Sequence, residues 1–298
     1  MRWEADVTLD AHTRYQVGGP TPRFGRIESR DQLRGALRDL SGAPFRALGW
    51  GANIVVADEG VAEPVIVLKD EFEHLEVEAE SIRAGAGASI PALVGAARRA
   101  GRAGWAFLEA VPGTIGGALR MNAGSAETGI WERSEWAEAM TPDGEVVRIT
   151  PEEAHATYRA TEVAQEWVFL EGSFDAAPGD AAAIQQEHLD RRRSKVENQV
   201  YDLPSCGSTW KNPGPPHGSA WQVVEKVGMR GERHGGAQIA EKHANFIVNL
   251  GDARAEDIVW LMATTRQRAH EELGIWLEPE IQLWGFSAER CRSVGAAA

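Results

Sequence analysis

The chain has 298 residues, 43% of them apolar, and a formal net charge of −13. That length buries a core large enough for two or three domains, and the negative balance argues against non-specific binding to nucleic acid or to anionic membrane surfaces. The only cysteines, Cys206 and Cys291, lack metal-ligand spacing, so reduced thiols, no metal and a cytosolic protein are expected. No apolar run is long enough to span a bilayer, and the N-terminal MetArgTrpGluAlaAspValThrLeuAsp has no apolar signal region.

In chain order, short strand-like runs alternate irregularly with helical ones, which predicts an α+β organisation and not a uniform βαβ repeat. β-type runs at 45 to 48 and 54 to 58 flank the turn GlyTrpGlyAlaAsn at 49 to 53. Further strands are expected at 64 to 68 and 81 to 86. A helix over 90 to 100 opens after Ser89, has proline at its second position and stops at Gly101. The second glycine-dense stretch, ProGlyThrIleGlyGlyAlaLeuArgMetAsnAlaGly, occupies 112 to 124. Strands at 145 to 149 and 167 to 171 precede an amphipathic helix over 179 to 197 that ends in ArgArgArgSerLys. After a strand at 245 to 249, a helix over 255 to 273 places Ile258, Leu261, Met262 and Leu273 near one face and stops at Gly274. The last residues, 293 to 298, are expected to fray.

Glycine is placed where the backbone must adopt positive φ or approach another group closely. One such turn reads as an ordinary bend. A glycine nest between two strands, repeated further on, reads as a concavity for a phosphate-bearing ligand held by main-chain N–H groups. Neither turn has the GxGxxG spacing of a dinucleotide fold, and no GxxxxGK[ST] loop occurs, so a cofactor must be held another way. Later constellations carry polar chemistry. ProSerCysGlySerThrTrpLysAsnPro at 204 to 213 reads either as a site or as a polar loop with capping serines. Lys242, His243 and Asn245 stand just before an apolar strand, where a lone histidine is more often structural. In LeuGluProGluIleGlnLeuTrpGly, 277 to 285, strand alternation puts Glu278, Glu280 and Gln282 on one face.

Six blocks in fixed order carry a family resemblance: GlyTrpGlyAlaAsn, ValProGlyThrIleGlyGly with MetAsnAlaGly, TyrArg at 158 to 159, GlySerThrTrpLysAsnPro, GluLysHisAlaAsnPheIleValAsn and LeuGluProGlu. In this order the chain resembles the UDP-N-acetylenolpyruvoylglucosamine reductases of peptidoglycan synthesis from about residue 12 to 285. The resemblance implies an FAD-binding fold of the vanillyl-alcohol-oxidase type in two subdomains, 1 to 68 and 69 to 195, then an α+β substrate domain over 196 to 290 and a tail over 291 to 298. It assigns non-covalent FAD to Gly49, Trp50, Gly51, Ala52 and Asn53 of the first turn, and to Pro112, Gly113, Thr114, Gly116, Gly117, Asn122 and Gly124 of the second. It implies NADPH as hydride donor and UDP-N-acetylglucosamine enolpyruvate as substrate, in a monomer without nucleic-acid or membrane partners. The catalytic residues carried over are Arg159, Ser208 (not Ser205) and Glu280 (ahead of Glu278). Asn212 and His243 match substrate-contacting positions, and Lys211 and Arg233 suit a diphosphate or carboxylate by charge.

The chain departs from the family pattern at Trp50, where a small residue is common, at Ala52, where many have serine, and at Trp210, usually phenylalanine. The stretch between Arg159 and Ser208 has no room for the tyrosine-bearing insertion of the longer branch, so the chain resembles the shorter one. Two rival readings stand beside this one: a different FAD oxidase of the same fold, expected to lack Ser208, Asn212 and Glu280, and a non-catalytic flavin-binding paralogue. The basic run at 191 to 195 reads as a solvated helix end favoured by the helix dipole.

Overall fold

The computed structural model of the chain describes residues 2–125 and 128–297. The first part contains β1 (Trp3–Thr8), β2 (Pro20–Ile27), α1 (Arg30–Leu40), β3 (Arg46–Ala47), β4 (Ile54–Val56), β5 (Val65–Leu68), β6 (Leu75–Val77), β7 (Ser81–Gly85), α2 (Ile90–Arg99) and α3 (Ile115–Met121). The middle contains β8 (Ser134–Met140), β9 (Val146–Ile149), α4 (Pro151–Ala154), β10 (Val168–Asp175) and α5 (Ala181–Asn198). The last part contains α6 (Ala220–Lys226), β11 (Arg233–His234), β12 (Ala237–Ile239), β13 (Ile247–Asn249), α7 (Ala255–Leu273), β14 (Gln282–Trp284) and α8 (Ala288–Val294). Among the described residues, no helix is long and apolar enough to cross a membrane.

Two compact units emerge from the contacts. The first gathers Met1–Glu4, Arg23–Trp50 and Glu63–Lys195, and the second gathers Ala5–Pro22, Gly51–Ala62 and Val196–Ala298. In the first unit, β2 and β3 run parallel to β5, and a five-stranded antiparallel sheet has the order β6-β7-β10-β8-β9. Strand β10 is central and buried along most of its length, so it reads as a continuous run and not an alternating one. Its one buried carboxylate, Glu171, is held by Arg30 at 2.6 Å and Arg83 at 2.8 Å. Helices α2 and α3 pack in the same core around Trp105, Phe107 and Phe174. In the second unit, β11-β12-β13 form an antiparallel sheet against α7, while β14 pairs parallel to β4.

Local chemistry explains the helix limits. Ser29, Ser89, Thr114 and Ser287 each accept an N–H of the first turn on their side-chain oxygen, and Pro91 sits where an N–H would go unused. Gly274 and Gly295 close α7 and α8 in the left-handed conformation.

The structure departs from the sequence expectation at five places, the first being that β14 covers only Gln282–Trp284, so Glu278 and Glu280 lie outside the strand on which they were expected to alternate. Helix α5 buries only Ile184 and His188, leaving Leu189 and Val196 exposed, so it is not the amphipathic helix expected. Leu273 is 39% exposed and does not join Ile258, Leu261 and Met262 in the core, because it ends α7 one turn beyond Ala269, the last residue the helix buries. Residues 291 to 298 do not begin a loose tail: Cys291 and Val294 of α8 are buried and Ala296 packs against the same core. Ala298 lies outside the described residues. Residues 5–22 and 51–62 fall in the second unit and do not stay with the rest of the segment 1 to 68.

Candidate active site

In the first unit the two glycine stretches meet. A Cβ on Gly49 would lie 2.5 Å from Thr114 Oγ1, so only glycine lets these turns close on each other. Gly113 has φ +131, and Thr114 then caps α3 by accepting the Gly117 N–H at 3.3 Å. The amides of Ile115 and Gly116 are spent on the Ala88 and Ala86 carbonyls. Those of Gly113 and Thr114, and of Trp50 to Asn53 in the first turn, donate to no acceptor among the described residues. That donor set suits phosphate oxygens. In the second unit, Gly51 has φ +57, and a Cβ there would lie 2.5 Å from the His12 carbonyl.

Asn122 ends α3 in the left-handed conformation and is buried. Its Nδ2 donates to Thr157 O at 3.0 Å and its Oδ1 accepts the Trp131 N–H at 3.2 Å, so the amide organises the chain around it. Thr157 and Ala160 pair through both backbone bonds, at 2.9 and 3.2 Å, leaving Tyr158 and Arg159 at the tip of a hairpin. Arg159 takes a left-handed φ of +60, a conformation that costs a side-chain-bearing residue on the order of 1 kcal/mol. Its Nη2 donates to Gly124 O at 2.9 Å and its Nη1 to Ser125 O at 3.3 Å, while the Tyr158 ring lies 4.7 Å from its Cζ. The guanidinium is thereby oriented against the end of the second glycine stretch.

The second unit stitches three distant segments together through the backbone. Thr209 donates its N–H to Asn245 O at 2.8 Å and accepts the Glu280 N–H at 2.9 Å. The Asn245 side chain clamps Trp210 at both ends, accepting its N–H at 2.9 Å and donating to its carbonyl at 2.9 Å. Lys211 N–H reaches Glu278 O at 2.9 Å. Ser208 therefore sits one residue from a backbone bond to Glu280, after Gly207 with φ +74. Asn53 joins the same knot: its Nδ2 donates to Glu280 O at 2.9 Å and its carbonyl accepts the Gln282 N–H at 2.9 Å. Cys206 donates its thiol to the Gly51 and Ile54 carbonyls at 3.4 Å. Burial pushes that thiol up to about 12, so it is a structural donor and not a nucleophile.

The remaining candidates vary in how closely they join this knot. Lys211 Nζ stands 3.7 Å from Glu278. Asn212 accepts the Ala220 N–H at 3.0 Å on Oδ1 at the start of α6. His243 is held by the Asn245 N–H at 3.3 Å on Nδ1 and packs on Phe246; burial, with the neighbouring Arg230 charge, moves its pKa below the usual value. Arg233 is exposed and bonds Gly235 O in its own turn at 3.0 Å, and among the described residues no contact joins it to the Ser208 segment. Arg159 belongs to the first unit, Ser208 and Glu280 to the second.

Sequence reading missed a buried charged group between α5 and the start of the second glycine stretch. Glu109, 7% exposed, meets His188 Nδ1 at 2.8 Å and Arg192 Nη1 at 3.7 Å. Lys195, in the run read as solvated, is partly buried. Burial above all, then Arg191 and Arg159, pull its pKa down to about 8 against the opposing charge of Glu109. The signal that was available is the spacing of His188, Arg192 and Lys195 on one helical face.

An FAD-binding flavoprotein is the class these paired glycine turns and this fold define. Residues 23–150 match the FAD binding domain family, and residues 198–284 match the C-terminal domain of UDP-N-acetylenolpyruvoylglucosamine reductase. The curated UDP-N-acetylenolpyruvoylglucosamine reductase 2 of Symbiobacterium thermophilum is 38% identical over 94% of this chain and 91% of its own length. The corresponding reductase of Pelobacter propionicus is 38% identical over 94% of this chain and 95% of its own. The crystal structure of the Thermus caldophilus UDP-N-acetylenolpyruvylglucosamine reductase superposes with a TM-score of 0.84 at 34% identity, covering 95% of this chain and 99% of that one. The chain belongs to the UDP-N-acetylenolpyruvoylglucosamine reductase family, and the α+β, FAD-binding fold class expected from the sequence stands.

Proposed function

We propose that the chain reduces UDP-N-acetylglucosamine enolpyruvate to UDP-N-acetylmuramate in peptidoglycan precursor synthesis, with NADPH as the hydride donor. FAD, held by the glycine turns, would supply the hydride chemistry that links NADPH to the β-carbon of the enolpyruvyl ether. The amides of the two glycine turns hold the cofactor's phosphates, and neither turn offers a histidine or cysteine for a covalent link.

Hydride arrival at the β-carbon drives negative charge onto the α-carbon and the carboxylate of the substrate. Arg159 meets that carboxylate with its planar fork, already oriented by Gly124 and Ser125. Glu280, when protonated, would hydrogen-bond the charge that develops on the substrate. Ser208 gives its hydroxyl proton to the α-carbon, which completes the addition of hydride and proton across the double bond. Lys211, the Asn212 amide, Arg233 and His243 are assigned to the substrate.

The observation that supports this reading is the backbone bond from Glu280 to Thr209, which ties the segment of Ser208 to that of Glu280. Its test is Ser208→Ala, followed by stopped-flow flavin absorbance. NADPH should bleach the flavin at close to the native rate, while reoxidation by the enolpyruvyl substrate slows by at least roughly 10²-fold, the contribution of a positioned general acid. Unchanged reoxidation would clear Ser208 and point to Ser205 or water.

A further inference from the structure

The dyad of Glu109 and His188 has no part in the reaction as assigned. Glu109 lies three residues before Pro112, at the entrance to the second glycine turn, and His188 lies near the middle of α5. Both are almost wholly buried, at 7% and 1% exposure. Burying a carboxylate is costly unless it is paired and hydrogen-bonded, so a 2.8 Å contact in that setting is a specific fastening of one element to another. Ile184 is the other residue that α5 buries.

Helical spacing carries the consequence along α5. Positions 188, 192 and 195 recur at intervals of four and three and share a face. Arg192 reaches the other Glu109 oxygen at 3.7 Å, and Lys195 follows one turn later. Lys195 feels Glu109 as an attraction, and Arg191 and Arg159 as repulsions. Two cations in a partly dry site repel each other, and a nearby carboxylate offsets that repulsion.

We propose that Glu109, held by His188 and Arg192, is a positioning residue that fixes the basic end of α5 and, one turn further on, the Lys195 ammonium. This deepens the reading of the reductase site and rests on it for its catalytic meaning. The anchor itself is a property of the folded chain and is testable without turnover. Burial above all, with the Arg191 charge, pulls the Lys195 pKa down to about 8. Removing the carboxylate removes the attraction and leaves burial, Arg191 and Arg159 to drive the proton off at lower pH.

Two measurements on the FAD-loaded protein test the idea. Acylation of Lys195 by an amine-reactive ester at pH 7, read by peptide mass spectrometry, should run roughly fivefold faster in Glu109→Gln. That is the gain in neutral amine for about one unit of further lowering. The alkaline limb of kcat/KM should move to lower pH, and it should vanish in Lys195→Arg, whose guanidinium does not titrate in this range. His188→Gln, which keeps the carboxylate but frees it from the helix, should move both readouts in the same direction and serves if Glu109→Gln loses FAD. A purely structural role would lower FAD content and both half-reactions with the limb in place. Unchanged acylation in both variants, or a limb that persists in Lys195→Arg, overturns the proposal. If wild type fails to turn over the enolpyruvyl substrate, the reductase reading fails by itself while the acylation result still decides the anchor.

Discussion

Asn53 lies in a turn read as cofactor-binding, yet its side-chain amide is committed to the Glu280 carbonyl. Deleting that amide removes one hydrogen bond from the Glu280 carbonyl, a net loss of about 0.5–1.5 kcal/mol. Asn53→Ala should therefore bind FAD within a few-fold of wild type, because the turn's backbone donors are untouched. It should lose on the order of 10-fold or more in reoxidation by the enolpyruvyl substrate, because Glu280 is less firmly held. Fluorescence titration of FAD and stopped-flow reoxidation measure the two separately, and equal losses in both would return Asn53 to the cofactor. At this scale the sequence displayed the right residue types. It could not display which group a given amide faces, since Asn53 and Glu280 are distant in the chain. Glu109 and Lys195 escaped for the same reason: a carboxylate and a lysine look solvated until the fold brings the dyad and Arg159 around them.

Elements were more legible where local chemistry sets the ends. Helices α2 and α7 follow their serine, proline and glycine signals almost to the residue. Short strands such as β11, β12 and β14 exist only because of their partners, and two or three residues carry too little periodicity to announce them. The face of α7 was read correctly at Ile258, Leu261 and Met262 but extended one turn too far. That difference has a measurable size. Leu261→Ala, wholly buried, should cost about 2–5 kcal/mol in denaturant unfolding, whereas Leu273→Ala at 39% exposure should stay within about 0.5 kcal/mol. Equal costs would place Leu273 in the core after all.

For the whole molecule, pH acts through groups whose proton affinity changes on folding. His243 has a lowered pKa in the folded chain, so the unfolded chain binds the proton more readily. Its contribution to stability is fully present above about 6.5, the ordinary histidine value, and is lost as pH falls toward and through the folded value. Denaturant midpoints should accordingly drop between pH 7.5 and 5.5, and the drop should be smaller in His243→Gln. An equal drop in both proteins would mean that carboxylates alone set the acid limit.

The path of the chain between its two units has a consequence for how such a protein can be inherited or rebuilt. The chain changes unit at 4/5, 22/23, 50/51, 62/63 and 195/196. A gene cut at 195/196 would encode a C-terminal fragment without Tyr15, Val17 and Val55, which fill its core, and without Asn53 on Glu280. The substrate half is thus not a portable module. Recombination that swaps it between relatives must carry two short upstream pieces along, so the protein is constrained to be exchanged as one gene or not at all.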